Sequence, residues 1–215
     1  MTTYRILIAT HNAGKLREYQ ELLANLPIEL VTLESLAITE APGETGKSFE
    51  ENARLKARAY ARASGLMTLA DDSGLEVDAL NGAPGIHSAR YGGDAAPDDE
   101  ARYRLLLGNL EGVPNPARAA RFRCVVALAT PQGDIHTAEA RCEGHIGHEP
   151  MGEHGFGYDP VFIVAERGVT MAQLPPDEKN RISHRAKALQ TIRPILAHLL
   201  ETYQASTGSN DFEEV

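Results

Sequence analysis

Several short runs in this sequence carry residue types that could do chemistry. Thr10-His11-Asn12-Ala13-Gly14-Lys15 stands between an apolar stretch and a helical pattern. The first N–H groups of a helix lack intrahelical partners and attract anions. Gly14 has no Cβ to keep a phosphate away, and Lys15 adds a mobile positive charge. The bland alternative is an ordinary strand-to-helix turn with Asn12 as N-cap. Asp71-Asp72-Ser73-Gly74 follows another apolar run, with Glu44 upstream. Mg²⁺ takes oxygen ligands, commonly one or two carboxylates plus phosphate oxygens. If Asp71 and Asp72 are both extended they point to opposite faces, so only one need reach a cleft. On its own, the run reads more simply as a solvated turn.

Gly155-Phe156-Gly157-Tyr158-Asp159-Pro160 sets two aromatics between glycines beside an acid. Such a loop suits base stacking, worth ~1–3 kcal/mol per base. The same aromatics could equally plug a core. Lys179 is followed by Ser183-His184-Arg185, whose His184 and Arg185 would put cations in the first turn of a last helix, against its dipole. A local rule broken in this way points to a ligand. Ala41 to Ser48 nearly matches a phosphate loop through Lys47 and Ser48, with Ala in place of the first glycine. Against that reading, Leu36 to Thr39 is a poor central strand and Ser48 is already an N-cap. Cys142, His145 and His148 have soft-metal spacing without a fourth partner. Asn52 and Lys56 share one helix face, bordering a cleft or only water.

The elements that must position these runs alternate early. Tyr4 to Thr10, Ile28 to Leu33, Leu66 to Ala70 and Leu75 to Leu80 read as strands. Asn12 to Leu26 reads as a helix with Leu16, Tyr19, Leu23 and Leu26 on one face. Ser48 and Glu51 form a capping box for a helix ending at Gly65. Pro97 to Leu110 is a further helix. Phe122 to Thr130 and Ile135 to Glu143 form a hairpin about Pro131-Gln132-Gly133, and Pro160 to Val164 is a strand. Ser183 caps the last helix, which Pro194 should kink or split. The pattern predicts an α/β fold with a mixed sheet.

The chain has 215 residues, enough for one domain, with 42% hydrophobic and 24% charged residues. Its net charge of -9 opposes general nucleic-acid or anionic-membrane binding. An anionic substrate would need a local basic site or a bound cation. Two cysteines, Cys124 and Cys142, do not make a disulfide scaffold. No signal-peptide layout or spanning segment is legible, so a cytoplasmic location is expected.

In order and spacing, these runs resemble the inosine triphosphate pyrophosphatase family. The match includes Glu44-Thr45-Gly46 with Ser48 to Ala53, and Ala70 to Leu75. It continues through Gly82-Ala83-Pro84-Gly85-Ile86-His87-Ser88-Ala89-Arg90-Tyr91 to the aromatic and basic runs above. It spans nearly the whole chain. One departure is Gly43, where bacterial members often carry a second Glu before Glu44. The resemblance implies an elongated central sheet flanked by helices, with a cleft between two lobes of one domain, residues 1–203. Residues 204–215 fall outside the matched pattern and read from composition as a polar, acidic, disordered tail. For the rest of the chain, the resemblance also implies a homodimer, Mg²⁺, and release of pyrophosphate from deaminated purine nucleoside triphosphates such as ITP, dITP and XTP. Under it, Thr10, His11, Asn12, Ala13, Gly14 and Lys15 hold the triphosphate. Glu44 and Asp72 hold metal, with Asp72 catalytic, and Ser73 touches the substrate. Phe156, Gly157, Tyr158, Asp159, Lys179, His184 and Arg185 hold the base and nearby groups. Two alternatives are a Maf-type pyrophosphatase for other nucleotides and a P-loop switch using Lys47 and Ser48.

Overall fold

A computed structural model describes residues 4–208. Six strands form one mixed sheet in the order β2-β1-β3-β4-β5-β6. Strands β1 (Tyr4–Ile8), β2 (Ile28–Thr32) and β3 (Met67–Val77) are parallel neighbours. Strands β4 (Ala119–Ala129), β5 (Ile135–Ile146) and β6 (Phe162–Val164) continue the sheet antiparallel. The expected α/β class and hairpin are both present.

Alternation along the strands sorts the sheet's two faces. Leu69, Cys124, Val126 and Leu128 face one way, packing with Tyr19 and Leu23 of α1 (Ala13–Leu23) and with Leu189, Ile192 and Leu196 of α5 (His184–Gly208). Ala70, Val125, Ala127 and Ala129 face the other way, against Phe49, Ala53, Ala57 and Tyr60 of α2 (Phe49–Ser64). Burying each larger side chain contributes ~1.5–3 kcal/mol, so both faces hold their helices firmly. Beyond the carboxylates, Leu75 and Val77 join Leu106 of α3 (Asp99–Asn109), Leu110 just past its end, and Phe162 in a third apolar cluster.

The structure departs from the expectations above in four places. The two strands expected around Asp71-Asp72-Ser73-Gly74 are one continuous strand, β3, and Asp78–Leu80 turns as a 3-10 helix. The carboxylates can sit inside a sheet because cations from both faces neutralise them, as described below. Of the kink or split expected at Pro194, the split does not occur, and helix α5 runs through it. Pro194 removes its hydrogen bond to the carbonyl of Gln190, and Gln190 is exposed, so water can take that carbonyl. A short helix, α4 (Pro176–Ile182), carries Lys179 and was not anticipated. Of the expected tail, residues through Gly208 continue α5, and 209–215 lie outside the described residues.

Candidate active site

The central strand β3 delivers two carboxylates in succession, one to each face. Asp72 turns toward α2. Its Oδ1 accepts from Lys56 Nζ at 2.8 Å, and its Oδ2 accepts from Asn52 Nδ2 at 3.2 Å. Asn52 and Lys56 lie one helical turn apart, so one face of α2 presents both. Fully buried Asn52 also accepts from the Gly46 N–H, fixing the loop that carries Glu44. Glu44 then meets Lys56 at 3.0 Å and Arg90 at 2.6 Å. Lys56 therefore stands between the two carboxylates assigned to metal.

Burial pushes Asp72 above the usual carboxylate range, and Lys56 only partly offsets this. Burial would raise Glu44 too, but Lys56 and Arg90 outweigh it and hold that carboxyl low. Lys56 is itself held charged, because Asp72, Asp71 and Glu44 overcome its desolvation.

Asp71 turns toward α1 and α5. Lys15 Nζ donates to its Oδ2 at 2.9 Å, and Arg185 Nη2 donates to the same oxygen at 3.2 Å. Arg185 also reaches Ser73 Oγ at 2.9 Å and Glu18. Glu18 binds Lys179 at 2.8 Å, and Lys179 binds Asp159. Asp159 accepts from the Phe156 N–H at 2.9 Å, which shapes the aromatic loop. A buried charged network thus runs from α1 to that loop.

A cavity of about 330 Å³ gathers most of the expected residues. Asn12, Lys15, Glu44, Asp72 and Ser73 line it with Phe156, Gly157, Tyr158, Asp159, Lys179, His184 and Arg185. Thr10, His11 and Ala13 do not line it. Thr10 accepts from the Asn12 N–H, and Asn12 caps α1 by accepting from the Lys15 N–H. His11 meets the Tyr60 hydroxyl at 3.2 Å. Gly14 lies under the Phe156 ring and lines a second cavity of about 160 Å³ beyond that ring. Lys179 Nζ sits 4.9 Å from the Phe156 ring centre, a cation–π distance.

The two aromatics of the loop divide their roles. Phe156 is half-buried at the cavity, whereas Tyr158 is buried and donates its hydroxyl to the Ser88 carbonyl. His184 stacks on Phe122, with ring centres 4.8 Å apart. Burial, with Arg185 and Lys179 nearby, holds its imidazole well below the usual value, so it is neutral.

Sequence reasoning missed Glu18, Arg90, Asp99 and Arg102. Glu18 is three residues beyond Lys15 on α1, and that spacing was the available signal. Asp99 accepts from the Gly157 N–H at 2.8 Å, and Arg102 lines the cavity beside it. No sequence pattern indicates either. The phosphate-loop alternative loses its frame: residues 37–46 form no strand, Lys47 is exposed, and its N–H donates to Glu51 at 2.7 Å. Cys142 is buried in the far apolar cluster. No group of three His, Cys, Asp or Glu side chains among the described residues could cage a metal.

Fold and site together define an α/β enzyme whose central strand carries a carboxylate–lysine centre suited to polyphosphates. The chain belongs to the Ham1 family, whose model matches residues 6–195. It is 48% identical over 190 residues to a Bacillus subtilis protein named dITP/XTP pyrophosphatase, covering 88% of this chain and 96% of that one. A Geobacillus kaustophilus protein of the same name is 53% identical over 186 residues, covering 86% and 90%. A solved HAM1 protein from Coxiella burnetii superposes with a TM-score of 0.81 at 42% identity, covering 91% of this chain and 100% of that one.

Proposed function

We propose that this chain hydrolyses deaminated purine nucleoside triphosphates (dITP, XTP and ITP) to the monophosphate and pyrophosphate. The observation that carries this is that one cavity is lined by the acid Asp72 and Lys15 together with Phe156, Lys179 and Arg185. The names of the relatives supply the substrate class.

Glu44 and Asp72, joined by an ammonium group, fit a divalent cation that arrives with phosphate oxygens. Two carboxylates, with room for phosphate oxygens to complete the shell, suit Mg²⁺. Bound there, the ion would neutralise phosphate charge and acidify a water. Asp72, its carboxyl raised by burial, orients the attacking water and takes its proton. The water oxygen bonds to the α-phosphorus as the bond from that phosphorus to the bridging oxygen breaks. Lys15 and Lys56 offset charge on the departing pyrophosphate.

Base choice follows from donor arithmetic. An ammonium has three donors, and Lys179 spends two on Glu18 and Asp159. The remaining donor suits the keto oxygen at the six-position of hypoxanthine or xanthine. Adenine offers an amino donor there, and a buried donor left unpaired costs ~1–3 kcal/mol. The reading includes a cytoplasmic homodimer. No helix among the described residues is long and apolar enough to cross a membrane.

Product analysis tests the reaction. With Mg²⁺, ITP should give IMP and pyrophosphate, and a chelator should stop it. IDP and orthophosphate as products would overturn the assigned bond. Preference for a pyrimidine triphosphate would favour the Maf-type alternative.

A further inference from the structure

We infer that Asp71 is a positioning residue that couples two cations lining the cavity, so that polyphosphate bound at Lys15 tightens the grip on the purine base through Arg185. The inference rests on the proposed function and adds a role for a carboxylate which that mechanism leaves unused.

Asp71 is fully buried and does not line the cavity, yet two of its partners do. One oxygen, Oδ2, takes both cations: Lys15 from the first turn of α1 and Arg185 from the first turn of α5. Cys124 Sγ is a weaker third donor at 3.7 Å. Its Oδ1 is buried with no hydrogen-bond partner. The charge of Asp71 is thus divided, through a single atom, between the cation assigned to phosphate and the cation assigned to the base wall. From Arg185 the contacts continue through Glu18, Lys179 and Asp159 to the Phe156 N–H.

When a polyphosphate engages Lys15, the ammonium shares its charge with the ligand. It then competes less for Oδ2, and the carboxylate acts more fully on Arg185. Arg185 is held more tightly in one orientation, and a base arriving afterwards loses less freedom. Linkage makes the effect reciprocal, so base and polyphosphate must raise each other's affinity by the same factor.

Calorimetry on the full chain tests this with inosine and inorganic tripolyphosphate at constant Mg²⁺. Saturating tripolyphosphate should raise inosine affinity on the order of tenfold, and inosine should raise tripolyphosphate affinity equally. Asp71→Asn keeps the shape and removes the charge. It should bind each ligand singly but bring the factor to about one, with an unfolding transition confirming that it folds. If it does not fold, Asp71→Glu, which keeps the charge but displaces the oxygens, should show the same loss. A factor of about one in the unaltered protein, or an undiminished factor in the variant, would overturn the coupling. Failure to release pyrophosphate from ITP would instead refute the proposed function.

Discussion

Asp72 and Asp71 are neighbours in sequence with opposite surroundings. Lys15, Arg185 and Lys56 outweigh burial at Asp71 and keep it ionised far below the usual range. At Asp72 burial prevails and raises the carboxyl, in keeping with the role of proton acceptor proposed for it. Asp72→Asn keeps the hydrogen bond to Lys56 possible but removes the base. Turnover should fall about 10²–10⁴-fold in a protein that still folds. His184 gives a separate prediction. Its folded value lies below the ordinary 6.5, so between the two values the unfolded chain binds more protons. Its contribution to stability is therefore complete above about pH 6.5 and is lost as pH falls toward the folded value. His184→Gln should lower the thermal midpoint less than the unaltered protein between pH 8 and pH 5.5; equal slopes would contradict a buried neutral ring.

At the scale of elements, the site is a meeting of helix starts with one strand. Asn12 caps α1, Ser48 caps α2, and Ser183 accepts from the Ala186 N–H at the start of α5. Those caps were legible because Asn and Ser before a helical pattern have a mechanism. The continuity of β3 was not legible. Two acids and a glycine argue for a turn unless their neutralising partners are known, and Lys15, Lys56 and Arg185 come from 56, 16 and 114 positions away. The site residues nearest in sequence to these caps were readable, while Asp99 and Arg102 depend on where α3 docks. Gly14 shows how close that docking is on the other side. A Cβ there would lie 2.5 Å from the Phe156 ring. Gly14→Ala should push the ring off α1 and raise KM for ITP about tenfold, given ~1–3 kcal/mol for base stacking, with kcat changed less. Steady-state kinetics checks the split; an unchanged KM would remove Phe156 from base binding.

The whole molecule is acidic, with a net charge of -9, yet it is proposed to bind a polyanion. The fold resolves this by concentrating Lys15, Lys56, Lys179 and Arg185 around one cavity while pairing each with an acid. The paired acids hold the cations ready without leaving a bare positive patch for nucleic acid. The pairing also limits the donors left for a base, and selectivity should come from that shortage. The most direct measurement is kcat/KM for ITP and ATP side by side with Mg²⁺. One buried donor left facing an amino group costs ~1–3 kcal/mol, more when charged, so ITP should be preferred by at least about tenfold. Equal values for the two nucleotides would contradict the account.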